Sequence, residues 1–373
     1  MTRKLLKPWN VTLIVGLMYV SWILYLGAGD PLTFAEIGTR YSEGDPTGTE
    51  GYDGQFFYYI AVDPAGAVSK IDAPAYRFQR ILYPLLVRWL SLGNEALMPW
   101  LFLALNLAGM VGGVWVTEQL LIGQHVNRWH ALPVGLYAGQ LLSIRVNLPE
   151  PLALGLTLLG IWLFERWQRR DKQGQLWLLS VLCFTLALFT KETMVVTGLA
   201  YVIFLLIQRD VRKSLAFGAI LIIPFAIFQL YLYRWLGSFG PGSGGAGATP
   251  FEIIPLGGLL RIGQSGWDLV GLFLLILGPI VILPAGWAIY AAGKDIFQRH
   301  WHPWTMALFL NSLIILFLPH STFREPLAML RFTGPLVALV ILYSALTKRW
   351  RALNYSYLWL ATLVFLINDP LIQ

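Results

Sequence analysis

One stretch of this chain carries most of the residues that could do chemistry. Gly51-Tyr52-Asp53-Gly54-Gln55-Phe56-Phe57-Tyr58-Tyr59-Ile60-Ala61-Val62-Asp63-Pro64 sets a carboxylate at the head of an aromatic run. Asp53 followed by Gly54 starts a helix and Pro64 stops it. Phe56, Phe57, Tyr59 and Ile60 present too much apolar surface for water but suit the membrane–water boundary. The helix is therefore expected to lie at the interface and to hold Asp53 at headgroup level. There the carboxylate serves either as a cap for free N–H groups or as a general base.

Further along, Arg77, Arg80, Pro84 and Arg88 recur at spacings of three and four. They form one stripe opposite Ile81, Leu82, Leu85, Leu86 and Trp89, which predicts a second interfacial helix over 76–92, kinked at Pro84. Its arginines either snorkel to lipid headgroups or, at Arg77 and Arg80, grip a phosphate with the planar guanidinium.

Three more turns place charge where apolar stretches end: Arg145-Val146-Asn147-Leu148-Pro149-Glu150, then Lys191-Glu192, then His320-Ser321-Thr322-Phe323-Arg324-Glu325-Pro326 with Arg331 beyond. Ionisable groups at membrane depth are costly, so they pair or function. With Asp53 they describe a polar cavity facing outward. Tyr52, Gln55, Tyr58, Glu150, Glu192, Glu325 and His320 are its candidate substrate contacts.

Other motifs fail. The segment 237–250 is glycine-rich but lacks the Gly-Lys-Ser/Thr ending of a phosphate loop, and reads as a flexible lid or linker. His125, His130, His300 and His302 fall on the inner side, which leaves His320 alone near the cavity and disfavours a histidine zinc site. No Ser-His-Asp set converges. The single cysteine, Cys183, excludes a disulfide framework and a cysteine metal site.

The elements that must position these residues follow from composition. Of 373 residues 57% are hydrophobic and 13% charged, which excludes a soluble globule, where charged residues make up roughly 25%. Apolar stretches separated by short basic segments predict an all-α polytopic membrane protein with about eleven spans. The spans are placed near 9–28, 97–122, 131–146, 150–166, 176–190, 193–208, 214–236, 268–292, 304–319, 327–346 and 355–368. The shorter ones must be short or tilted. Arg3, Lys4 and Lys7 precede an uncharged run longer than a secretory signal core, so the first span is expected to be retained.

With the N-terminus cytoplasmic, 16 of the 27 basic residues and only 5 of the 20 acidic ones fall inside, the bias that orients membrane proteins. The basic residues are scattered at helix ends rather than gathered on a face, which excludes nucleic acid as a partner. Residues 1–373 form one transmembrane unit, with long outer loops at 29–96 and 237–267. Long loops without a domain of their own are usually functional, and the inner loops are too short for a nucleotide-binding domain. Chemistry belongs to the outer face.

The order of these pieces resembles the polytopic glycosyltransferases of the GT-C superfamily. Tyr52 to Ala61 is similar to the first-loop segment of relatives of the GPI-anchor mannosyltransferases, with Tyr52 where they often carry Trp. Leu82-Tyr83-Pro84-Leu85-Leu86-Val87-Arg88 is similar to their Tyr-Pro-Leu stretch, Leu148-Pro149-Glu150-Pro151-Leu152 to their Glu-containing turn, and Met329-Leu330-Arg331-Phe332 to their late Arg-aromatic element. Lys191 stands where arginine is expected.

The resemblance implies a GT-C-like bundle, a polyprenyl-phosphate-linked sugar donor, a glycan, lipid or protein acceptor, and Asp53 as catalytic carboxylate in an inner bacterial membrane. A polyprenyl phosphate is a good leaving group, so one base suffices where a glycosidase needs two carboxylates. Inverting transfer follows, with Arg324 and Arg331, then Arg77, Arg80 and Lys191, meeting the charge that grows on the phosphate. A divalent cation, Mg or Mn, held by Asp53, Asp63 or Glu150 is a further expectation. The competing class is a transporter or flippase of a lipid-linked or anionic substrate, but transporters place polar groups near the bilayer midplane, where these spans carry almost none.

Overall fold

The computed structural model describes residues 6–169, 174–245 and 247–366. Among these the chain is all-α, 77% helical and without strands. Pro8–Leu26, Glu95–Gly123, Val211–Leu236 and Trp267–Phe297 are long and apolar enough to cross a bilayer core. Pro326–Phe332 and Gly334–Leu346, bent by 46°, add another crossing if they act as one span. Gly174–Thr190, Glu192–Ile207 and Pro303–Leu316 are apolar but shorter. Glu150–Arg169 occupies the place expected of it, with its charged residues at the two ends.

Two expected spans are not continuous helices. The stretch at 131–146 breaks into a 3-10 turn Arg128–Ala131, a short helix Leu132–Gly135 and a helix Ala138–Arg145. Every residue from 137 to 150 is buried in protein, and broken backbone at membrane depth is tolerated only where protein encloses it. Pro133 and Gly135 supply the break, and Gly139 lies so close to Leu330 O that any Cβ would clash. The stretch at 355–368 is likewise divided, into Trp350–Tyr355, Leu358–Ala361 and Thr362–Leu366, and its last two residues lie outside the described residues, as do Arg3 and Lys4.

Helices Met98–Gly123 and Glu150–Arg169 cross with their backbones in contact. A Cβ on Gly155 would sit 2.5 Å from Gly109 O, and one on Gly109 2.6 Å from Leu152 Cα. Small residues at such a crossing let dispersion act between backbones where lipid offers no hydrophobic drive. This contact fixes the height of Glu150.

The first outer loop differs most from expectation. Helix Gly54–Val62 does not spread an aromatic face on lipid: Phe56, Phe57, Ile60 and Ala61 are buried in protein. Phe57 meets Tyr83 edge-on at 5.6 Å and Phe56 meets Tyr41 at 5.1 Å, geometries aromatic pairs favour. The single kinked helix expected over 76–92 is instead two, Pro74–Phe78 and Leu82–Leu90. Pro84 falls in the first turn of the second, where a missing N–H costs nothing. The arginine stripe also fails to face headgroups. Arg77 and Arg80 are buried, and Arg88 donates to the backbone oxygens of Ala61 at 2.8 Å and of Val62, closing the end of the helix that begins beside Asp53.

Candidate active site

Asp53 is placed by its neighbours in sequence. Gly54 is pressed on Val146 O so closely that no other residue fits. Asn106 donates to Tyr83 OH at 2.6 Å and to Leu148 O at 2.9 Å, tying the loop and the 147–149 turn to the helix Met98–Gly123. Gln55, fully buried, accepts from Gly38 N at 3.1 Å and donates to Glu50 O at 2.8 Å. The amide expected to touch substrate is thus committed to holding the loop.

Although Asp53 precedes the helix Gly54–Val62, its side chain makes no cap hydrogen bond. The carboxylate points at Arg77 instead, with Oδ2 2.7 Å from Nη1, and keeps 36% of its side-chain surface open. Arg77 is buried and held from its other side by Asp72, through Nε to Oδ1 and Nη2 to Oδ2, each at 2.9 Å. Its ring neighbours are Phe56 at 4.7 Å and Tyr76 at 5.1 Å. The contact with Asp53 lies off the N–H direction, so Nη1 keeps no directed hydrogen bond.

Around this pair the other turns converge. Arg80 forks onto Glu192 with two contacts of 2.7 Å and donates to Tyr76 OH at 2.7 Å. Lys191 Nζ lies 2.5 Å from Glu150 Oε1, both side chains buried. Arg331, also buried, stacks over the Tyr52 ring at 5.2 Å and reaches Glu325 Oε1 at 3.4 Å, while Tyr52 OH donates to the same oxygen. Asp53 interacts electrostatically with Arg77, Arg331 and Arg80 together, so the groups form one cluster. The expected polar cavity carries both signs: four cations, Arg77, Arg80, Lys191 and Arg331, lie among five carboxylates, Asp53, Asp72, Glu150, Glu192 and Glu325.

Enclosure alone would raise the Asp53 pKa. Arg77 beside it, with Arg331 and Arg80 beyond, outweighs that and holds the carboxyl below the ordinary range. Asp53 and Asp72 in turn raise Arg77 against the cost of its own burial. Asp53 is therefore ionised at neutral pH and only weakly basic.

The cations differ in how far they are committed. Arg77, Arg80 and Lys191 are closed off by carboxylates within 2.9 Å. Arg331 holds one long contact, and its Nε has no hydrogen-bond partner. Arg324 is exposed, and no ion pair to it occurs among the described residues. The glycine-rich segment read as a lid or linker lies on these groups. Gly245 rests against Asp72 and Arg77 Nη2, Gly247 is near Arg324, and Thr249 and Ser321 exchange hydrogen bonds of 3.0 and 3.2 Å.

Other expected residues sit elsewhere. Tyr58 packs among apolar side chains beside Tyr59. His320 Nδ1 is 3.1 Å from Gly258 O. Asp63 is exposed and stands one nine-residue helix away from Asp53, roughly 14 Å, too far to share an ion. Glu150 is engaged by Lys191, and among the described residues no group of three His, Cys, Asp or Glu is placed to hold a metal. The three carboxylates expected to share a cation, Asp53, Asp63 and Glu150, are thus not gathered as one ligand set. Sequence reasoning passed over Asp72 and Tyr76. Their signal is an acidic residue and an aromatic within five positions of Arg77, which only the fold shows to be its partners.

Residues 131–233 match the family described as dolichyl-phosphate-mannose-protein mannosyltransferase, which lies within the GT-C glycosyltransferase superfamily. The match takes in Glu150, Lys191 and Glu192 but not Asp53, Arg324 or Arg331. It bears out the GT-C resemblance and supports a membrane glycosyltransferase of mannosyltransferase type. No curated protein and no solved structure matches the chain.

Proposed function

We propose that this protein transfers a sugar from a polyprenyl-phosphate donor to an acceptor hydroxyl on the extracytoplasmic face of an inner bacterial membrane, inverting the anomeric carbon, with Asp53 as base. The observation that carries the reading is the freedom of the Asp53 carboxylate. It heads a helix without capping it and is partly open inside a cluster of buried cations.

A weak base fits this chemistry. An acceptor hydroxyl becomes acidic only as its oxygen bonds to the anomeric carbon, so proton transfer to Asp53 comes late and needs little basicity. Meanwhile the C–O bond to phosphate breaks and negative charge grows on the leaving group. Arg331, the least committed buried cation, and Arg324, which has no ion pair among the described residues, are free to meet it. Arg77, Arg80 and Lys191 shape the pocket instead, because a phosphate would first have to displace a carboxylate from each.

Membranes bearing the protein, given a panel of labelled polyprenyl-phosphate sugars and resolved by thin-layer chromatography, test the proposal. One donor should yield a labelled product with the parent and none with Asp53→Asn. Equal product from both would overturn the role of Asp53, and no product from any donor would overturn the donor class.

A further inference from the structure

A second polar centre lies at the far end of the helix that begins with Glu150. Glu165 Oε1 is 3.7 Å from His302 Nε2, and Glu165 and Glu150 are about 22 Å apart along the helix axis. Helix Pro303–Leu316 makes the same passage from His302 toward His320. Beside His302 opens a cavity of about 550 Å³ lined by Asp295, Arg299, His300, Thr305, Thr347 and Arg349, among others. No residue of the Asp53 cluster belongs to it.

We propose that this cavity binds a phosphate group, as a second anion site at the membrane boundary opposite the cluster around Asp53. Two guanidiniums face it against one carboxylate. Arg299 enters with no ion pair among the described residues. Arg349 Nη2 stands 3.7 Å from Asp295 Oδ1, a loose pairing, while Asp295 Oδ2 accepts from Tyr343 OH at 2.5 Å. The rings of Tyr343 and Trp287, 5.4 and 6.0 Å from the Arg349 guanidinium, hold it by cation–π attraction. With Asp295 at 3.7 Å as its one ion pair among the described residues, the guanidinium keeps N–H donors for an anion, and arginine recognises phosphate through such donors.

His302 takes no part, since its Nδ1 accepts from Trp304 N and its Nε2 faces Glu165. The volume falls within the range of about 300–1,000 Å³ for small-molecule sites, larger than a bare anion needs. Tyr290, Phe297 and Trp350, exposed at 70%, 89% and 51%, belong to the elements that frame the cavity, and exposed aromatic residues accumulate where helices leave lipid. Basic pockets between helices at that level accept anionic headgroups. A phosphodiester of a membrane lipid and a soluble phosphate share the chemistry this site reads.

The inference does not rest on the transferase reading, because its test is binding. The full chain is placed in nanodiscs of phosphatidylcholine. Retention of added phosphatidylglycerol is followed by native mass spectrometry, and binding of inorganic phosphate by calorimetry. Parent, Arg299→Gln and Arg349→Gln are compared, with thermal unfolding to confirm that each is folded. The exposed Arg299 can be replaced with the fold intact. The parent should bind, and Arg299→Gln should bind about tenfold more weakly or worse, the loss expected when a charge-assisted contact is removed. Uptake of the lipid alone identifies a headgroup as the source, and uptake of inorganic phosphate a soluble one. Absence of both from the parent, or binding by Arg299→Gln equal to the parent's, would overturn the proposal.

Discussion

Asp72 holds Arg77 by two hydrogen bonds of 2.9 Å, from Nε and Nη2. With its fork thus occupied, Arg77 offers Asp53 only Nη1, and at an angle that makes no directed bond. Asp53 is stabilised as an anion without being fully neutralised.

Asp72→Asn should release Arg77 to turn its fork onto Asp53. The carboxyl already lies below its ordinary value of 3.8, and a bidentate partner lowers it further. A group held below its ordinary pKa stays charged as pH falls until that lower value is passed. The acid limb of kcat/KM should therefore lie below pH 3.8 on this group's account and move lower still in the variant, while kcat at neutral pH falls about tenfold because the fork draws the carboxylate off the acceptor hydroxyl. A pH–rate profile checks both. Unchanged kcat and an unmoved acid limb would show that Asp72 does no more than hold a loop.

Asp53→Asn should reduce transfer by roughly 10²- to 10⁴-fold, the range for loss of a general base. Stability should change little, since the side chain makes no cap bond and Asp72 still satisfies Arg77. Asp53→Glu should also be poor, because one methylene displaces the carboxylate by about 1 Å. Single-turnover kinetics with thermal unfolding checks this. Turnover within a few-fold of the parent would return Asp53 to a passive place at the helix start.

Arg331→Lys and Arg324→Ala should raise donor KM by roughly ten- to a hundredfold, the cost of a charge-assisted contact left unmade. Lysine keeps the Arg331 charge beside Glu325 but loses the fork and the stacking on Tyr52. Steady-state kinetics over donor concentration gives the measurement. Normal donor kinetics in both variants would move the phosphate elsewhere.

Topology is testable by cysteine labelling in a Cys183→Ala background. Gly51 is a poor site, since its φ is +67° and a Cβ would strike Glu36 O. Ser69 and Gln298 are both exposed. Ser69→Cys should react with an impermeant maleimide on intact cells, and Gln298→Cys only after permeabilisation. The reverse pattern would turn the protein over and place the Asp53 cluster in the cytoplasm.

Gly109→Ala or Gly155→Ala should loosen the helix crossing beneath Glu150. Each new methyl meets backbone within 2.6 Å, and backbone cannot swing aside as a side chain can. A loss of about 1–3 kcal/mol, the usual cost of overpacking, is expected, read as a lower Tm in detergent. An unchanged Tm would mean that the two helices separate without cost.

Much of this molecule is written locally. A run of apolar residues crosses or fills a membrane wherever it lies, so the helices Pro8–Leu26, Glu150–Arg169 and Val211–Leu236 stand where hydropathy placed them. A helix starts after Asp53 as expected, although not through capping, since the Asp53 side chain makes no cap bond. The convergence of the charged turns was legible as well, since ionisable groups at span ends must find partners.

Which partner each charge finds was not legible. Arg80 pairs with Glu192 and Lys191 with Glu150, residues brought together by helix crossings that periodicity does not encode. The stripe of arginines looked like a lipid-facing surface because spacing reports which residues share a face, not what covers it. The loop around Gly245 and the helices Gly54–Val62, Gly174–Thr190 and Val211–Leu236 pack against the two helices that carry it. The same holds for the aromatic helix after Asp53: its apolar surface demanded burial, and only the tertiary structure decided between lipid and protein. Burial in protein sets the carboxylate 2.7 Å from Arg77 Nη1, a precision a fluid interface does not provide.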